Sequence, residues 1–255
     1  MPCFEKMGVL SYFATFQKSQ DTYATLLTRF YDMTGNPEVL TKAISVLEKA
    51  LESGTKLNLI SRMAESHWKI AKIHDALGQH VQAAEHFAYA SEKYLQAAER
   101  IPQLKCLYQD LASYMQAWIE IEKARNHHVK KQYGLAREHY ENASALHGSI
   151  ERLKYLRQNY LAWSKLEEAE DLSRREQTEQ ARALFQEAAG LFVEAKGAVK
   201  TKFESLTLAD EREMAVRLLD ASDMRREYCL ARGIIEEAKI LDRQGDCATS
   251  AEKYG

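Results

Sequence analysis

Apolar residues recur every three to four positions along almost the whole chain, and no segment alternates with the two-residue period of a strand. The first elements are helices over 3–18 and 21–33, carrying Phe4, Leu10, Tyr12, Phe13 and Phe16, then Tyr23, Leu26, Leu27, Phe30 and Tyr31. Gly35-Asn36-Pro37 closes one helix and opens the next, over 38–52, which ends at Ser53-Gly54-Thr55. Helices then follow over 56–77, stopped by Gly78, and 80–100, stopped by Ile101-Pro102. The pattern continues through 104–130, 134–146 with a break at His147-Gly148-Ser149, 150–174 and 178–204. Beyond it, Thr207 with Asp210 three residues later has the form of a capping box, opening a helix to about Arg243 before Gly245 breaks it.

Within this pattern the stretch from Trp68 to Ala90 reads as two helices folded across a turn at Gly78. Its residues Ala71, Ala83, Phe87 and Ala90 recur with the same internal spacing as Ala124, Ala136, Tyr140, Ala143 and as Ala169, Ala181, Phe185, Ala188. Small, large, small on one helical face lets a second helix approach closely, so these are predicted packing positions. A fourth copy starts at Ala238 and runs through Gly245 and Ser250 to Tyr254. A stack of hairpins needs a covering last helix with a polar outer face. The expectation is therefore a chain cut from a longer protein, or a homodimer exchanging its uncapped C-terminal end. Gly190 and Gly197, seven apart, are expected to mark a close helix crossing.

Composition agrees with long helices: 3 Pro and 11 Gly in 255 residues leave few breakers. A net charge of −2 supplies no basic field for nucleic acid, and no apolar run reaches the length of a membrane span. The N-terminal apolar run has mixed charge before it and no small-residue cleavage site after it, giving the expectation of a soluble, cytoplasmic protein. The cysteines, 3, 106, 229 and 247, form no Cys-x-x-Cys pair and read as free thiols, with Cys3 alone expected to be exposed.

The run Ala71, Gly78, Ala83, Phe87, Ala90 resembles the tetratricopeptide repeat family. The later copies put Lys131 and Glu176 where the turn glycine stands, and Pro102 is a late terminal proline. The long irregular hairpins, and the run Ala84, Phe87, Ala90, Tyr94, Ala97, are similar to the divergent branch that includes the soluble NSF attachment proteins. The resemblance implies an all-α, right-handed α-solenoid of antiparallel helix pairs over residues 38–255, with 1–37 as an N-terminal helical cap. It also implies a binding scaffold rather than a particular activity.

In such a solenoid the first helix of each pair lines the concave surface. The face six and three residues before the marker alanine, and one and four after it, carries Glu65, Trp68, Lys72, Asp75; then Trp118, Ile121, Arg125, His128; then Trp163, Leu166, Glu170, Ser173. The expected partner-binding set is Trp68, Lys72, Asp75, Trp118, Arg125, His128, Trp163 and Glu170. Aromatic anchors beside Lys and Arg suit an extended or helical peptide with acidic groups. The competing reading is that each Trp packs between hairpins. The Lys and Asn set with which chaperone-binding repeats grip a carboxylate is absent.

His67 and His74 are seven apart and His127 and His128 adjacent, neither of which is a zinc-hydrolase spacing, so no metal and no cofactor are expected. No phosphate loop, no nucleophile elbow and no isolated carboxylate pair is present; Glu167, Glu168, Glu170 and Asp171 lie between Lys165 and Arg174 as on a solvated face. The expectation is a non-enzymatic adaptor that binds a protein or peptide. The alternative is a regulatory sensor domain that binds a signalling peptide or small ligand and controls a C-terminal effector.

Overall fold

The structure is a computed structural model that describes residues 2–206 and 209–254, and side chains for 15, 16, 18–206 and 212–254. The capping box at Thr207 and Asp210, the exposure of Cys3 and the side chains of Phe4, Leu10, Tyr12 and Phe13 lie outside the described residues. Every described element is a helix or a connecting turn. In order they are α1 (Pro2–Thr34), α2 (Pro37–Leu57), α3 (Ile60–Ala76), α4 (His80–Arg100), α5 (Lys105–Val129), α6 (Tyr133–Ser149), α7 (Arg157–Arg174), α8 (Thr178–Phe203), α9 (Ala209–Arg243) and α10 (Cys247–Tyr254). Short 3₁₀ turns, Pro102–Leu104 and Glu151–Leu156, precede α5 and α7. The chain is all-α, each helix packing on its sequence neighbours as in an α-solenoid, and it divides into two compact units, Met1–Glu122 and Lys123–Gly255.

In the first unit α1 packs on α2, α2 on α3 and α3 on α4. The core there joins Ala24 of α1 to Leu40, Ala43, Val46 and Leu47 of α2 and Ile70 and Ile73 of α3. In the second unit α6, α7, α8, α9 and α10 pack consecutively, and α7, α8 and α9 share a core of Ala162, Leu166, Ala169, Ala181, Phe185, Ala188, Phe192 and Cys229. The marker alanines Ala71, Ala124, Ala169 and Ala238 are wholly buried, as are Ala83, Ala136, Ala181, Phe87 and Phe185. The small-large-small positions are thus packing positions, as their spacing predicts.

Four turns repeat one geometry. Gly78, Lys131, Glu176 and Gly245 take left-handed φ of 69°, 57°, 60° and 81°. Each donates its N–H to the carbonyl three residues back, and the next residue donates to the carbonyl five back: Gln79 to His74, Gln132 to His127, Gln177 to Leu172 and Asp246 to Leu241. This is the helix-closing arrangement that glycine favours, because a Cβ crowds the carbonyl in that conformation. Lys131 and Glu176 hold it without glycine.

Several boundaries differ from the sequence pattern. The helices expected over 3–18 and 21–33 are one, since Ser19-Gln20 contains nothing that stops a helix. Helix α2 runs through Ser53-Gly54-Thr55, burying Ser53 and Gly54, and closes at Asn58 in the left-handed region. Helix α6 likewise continues through His147-Gly148-Ser149 and ends at the extended Ile150. Among the described residues, a Cβ built on Gly190 or Gly197 meets nothing within 4 Å, so no described helix crosses closely there. Cys106 and Cys247, at the first turns of α5 and α10, are exposed, while Cys229 is buried.

Two substitutions test the turns. Lys131→Gly relieves the left-handed lysine and is expected to raise unfolding free energy by about 0.5–1 kcal/mol, while Gly78→Ala lowers it by about 1 kcal/mol. Urea denaturation followed by circular dichroism reads both; equal signs for the two changes contradict the assignment.

Candidate functional site

The first helices carry two positions, six and two residues before the marker alanine, that meet the preceding hairpin in matching ways. Six residues before the marker alanine stand Trp118, Trp163 and Arg232. Trp118 stacks on Phe87 with centroids 5.5 Å apart and planes 17° apart, and Trp163 stacks on Tyr140 at 5.5 Å and 20°. The Arg232 guanidinium lies 5.0 Å from the Phe185 ring centre. Each therefore covers the central aromatic of the preceding hairpin. Trp163 is further enclosed by Phe192, edge-on at 5.9 Å, and by the Arg225 guanidinium at 4.8 Å. Trp68, three before its alanine, meets Tyr114 edge-on at 5.9 Å. All three tryptophans are part-buried, with a packing duty at each.

Two residues before the marker alanine stand Lys69, Glu122, Glu167 and Glu236. The three glutamates are fully buried. Glu122 pairs with His80 Nδ1 at 2.7 Å, and Glu167 with His128 Nδ1 at 2.8 Å. Glu236 accepts from Ser173 Oγ at 2.6 Å and from Lys239 Nζ at 2.7 Å. A buried carboxylate is costly unless paired, so each hairpin meets its neighbour's acid with a donor. Lys69, in the remaining copy, bonds Asp21 of α1 at 2.9 Å.

The residues expected to contact a partner take diverse places. Lys72 is exposed and Arg125 half-buried. Asp75 converges with His80 and Glu122, their ligand atoms all within 4.8 Å, a donor set of the type that holds a divalent ion. Glu170 is engaged by α9: Arg232 grips it through Nε at 3.0 Å and Nη2 at 2.8 Å, and the Tyr228 hydroxyl donates to it at 2.7 Å. His128 lies against Glu167 with about half its side chain exposed. The sequence pattern alone missed the buried glutamates, although extending the alignment two residues before each marker alanine reveals them. Arg232 was equally legible at the same position as Trp118 and Trp163. The pairing of His80 with Glu122, forty-two residues away, left no local signal.

Histidines are packed as well as solvated. His74 stacks on His86 and His127 on His139, the same repeat positions in two hairpins, and His74 and His127 also bond Gln79 and Gln132 of their turns. Burial holds His67, His86 and His147 near pKa 4, reinforced at His67 by His86, whose Nδ1 lies 3.1 Å away, and at His86 by His74. The hydrogen bond to Glu167 raises His128, and burial raises Glu167 against the opposing pull of His128.

No protein-family model, curated protein or solved structure matches the chain. Among the described residues no helix is long and apolar enough to cross a membrane.

Trp118→Ala uncovers Phe87 and is expected to cost about 2–4 kcal/mol of unfolding free energy, less than a fully buried aromatic would. Denaturant titration checks this, and a change below about 0.5 kcal/mol would show the ring to be free of the core. The pH dependence of His128 has a definite sign. A pKa raised in the folded state gives stabilisation that is complete below the ordinary histidine value and lost as pH rises through the folded one. The melting-temperature gap between the native chain and His128→Gln should accordingly be widest below pH 6.5 and close in alkali; a gap that widens with pH contradicts the pairing.

Proposed function

We propose that the chain is a non-enzymatic interaction scaffold that holds a partner peptide or helix against the first helices of its hairpins. The observation that carries this reading is a division of labour along those helices. The marker alanine joins hairpins, as do the positions two and six before it in three copies, while the position one after the alanine is the exposed Lys72 in the first copy. Cationic side chains beside part-buried tryptophan rims suit an acidic peptide, whose aromatic or aliphatic anchors would lie along the rims. The tetratricopeptide-like spacing supports the same reading, because hairpin arrays of that kind serve as binding surfaces, and a cytoplasmic setting accords with unpaired cysteines.

The test is selection of binders from a displayed library of peptides and short helices against the intact chain, followed by anisotropy measurements. Selected sequences should be acidic, and Lys72→Glu should weaken them at least tenfold without moving the melting temperature. A failure to select any binder, or binders indifferent to Lys72, overturns the proposal.

A further inference from the structure

The turn that closes α3 brings Asp75 and His80 together. Gly78, in the left-handed region, donates its N–H to the Asp75 carbonyl at 2.9 Å, which folds the last turn of α3 back beside His80, the first residue of α4. Glu122 of α5 reaches the same point fully buried, its Oε2 2.7 Å from His80 Nδ1. One ligand atom from each of the three residues lies within 4.8 Å of the other two. We propose that Asp75, His80 and Glu122 bind a divalent first-row transition-metal ion such as Zn²⁺, which ties α5 to the hairpin of α3 and α4.

The two later joints of the same kind are built differently. In all three, the residue four after one marker alanine faces the glutamate two before the next. His128 Nδ1 meets Glu167 at 2.8 Å in the second joint, and Ser173 Oγ donates to Glu236 at 2.6 Å in the third. Both supply the proton that a buried carboxylate requires. In the first joint the equivalent residue is Asp75, whose carboxylate only accepts. The donor there has moved to the start of the following helix, where His80 stands and the later copies carry Tyr133 and Thr178. The outcome is two carboxylates converging on one imidazole, a mixed oxygen and nitrogen set that suits zinc and its neighbours better than Ca²⁺ or Mg²⁺, whose ligands are oxygens. Asp75 also lies in the last turn of α3, at the negative end of the helix dipole, where a cation is favoured.

The dimensions suit such an ion. Zinc bonds of about 2.0–2.2 Å set tetrahedral ligand atoms about 3.3–3.6 Å apart, so His80 Nδ1 and Glu122 Oε2 have to separate by less than about 1 Å. The ion takes the place of the proton that these two atoms share. The His80 side chain is 18% exposed and Asp75 is part-buried, which leaves a way in from solvent and a fourth position for water, while Glu122 holds the ion from the dry side. Histidine spacing along single helices passes over this set, whose members lie five and forty-two residues apart on three helices.

Calorimetric titration of the intact, chelator-treated chain with zinc chloride decides the matter. One equivalent of Zn²⁺ should bind and raise the melting temperature. Asp75→Asn and His80→Gln should each weaken binding at least tenfold. Both replacements keep a hydrogen-bonding side chain near Glu122, circular dichroism checks their helicity, and either one alone suffices if the other fails to fold. His67 and His86, with Nδ1 atoms 3.1 Å apart, are a second imidazole pair close enough to share an ion, so His86→Gln is the control and should leave the affinity unchanged. Absence of binding at millimolar Zn²⁺ overturns the proposal. So does an affinity that survives Asp75→Asn or His80→Gln in a folded chain, or one that is lost with His86→Gln.

Discussion

Close approach of helices is the constraint on which the rest of this chain depends. Ala71, Ala124, Ala169 and Ala238 are fully buried on first helices, and Ala83, Ala136 and Ala181 on the helices that follow them. A methyl group at each lets the backbones come together, which in turn fixes where the large side chains go. Phe87, Tyr140 and Phe185 fill the space between two alanines, and the following first helix lays Trp118, Trp163 or Arg232 over them. In three of the four copies the side chain two positions before the marker alanine has no path to water. In three copies that side chain is a glutamate, and each requires a partner in place.

The joint between hairpins is therefore partly apolar and partly ionic. Aromatic stacking supplies area and shape, and the buried carboxylates supply register, since Glu122 without His80, Glu167 without His128, or Glu236 without Ser173 and Lys239 would be a polar group stranded in the core. The ionic part differs from copy to copy while the apolar part stays nearly the same. His80 comes from the start of the second helix, His128 from the end of the first, and Lys239 from the same helix as its acid. Stability consequently responds to pH in opposite senses at different places. The imidazoles of His67, His86 and His147 stay neutral in the fold and favour it as pH rises from about 4 to the ordinary histidine value. The pair His128 and Glu167 holds protons more tightly in the fold and favours it as pH falls.

Much of this was legible in the residues themselves. The spacing of alanines and aromatics marked the hairpins, the packing face and the turns, and even placed Lys131 and Glu176 at turns normally given to glycine. Helix ends were less legible, because the chain runs helically through Gly54 and Gly148 and closes at Asn58 and Ile150 instead. Glycine inside a helix costs about 1 kcal/mol, which tertiary packing readily offsets. Among the site residues, the choice between groove and core for Trp118 and Trp163 could not be made from spacing, since both readings use the same helical face. Glu170 looked free for a partner because Arg232 and Tyr228, about sixty residues away, are not part of its local pattern.

The central claim is that consecutive hairpins are coupled through the ring placed six residues before each marker alanine. A double-mutant cycle between Tyr140 and Trp163 tests it most directly, using Tyr140→Leu, Trp163→Leu and the pair together, each unfolded in urea. Stacked rings at 5.5 Å predict a coupling of about 0.5–1.5 kcal/mol beyond the sum of the single changes. Additivity within about 0.3 kcal/mol would mean that the two rings do not act on one another, and would contradict the account.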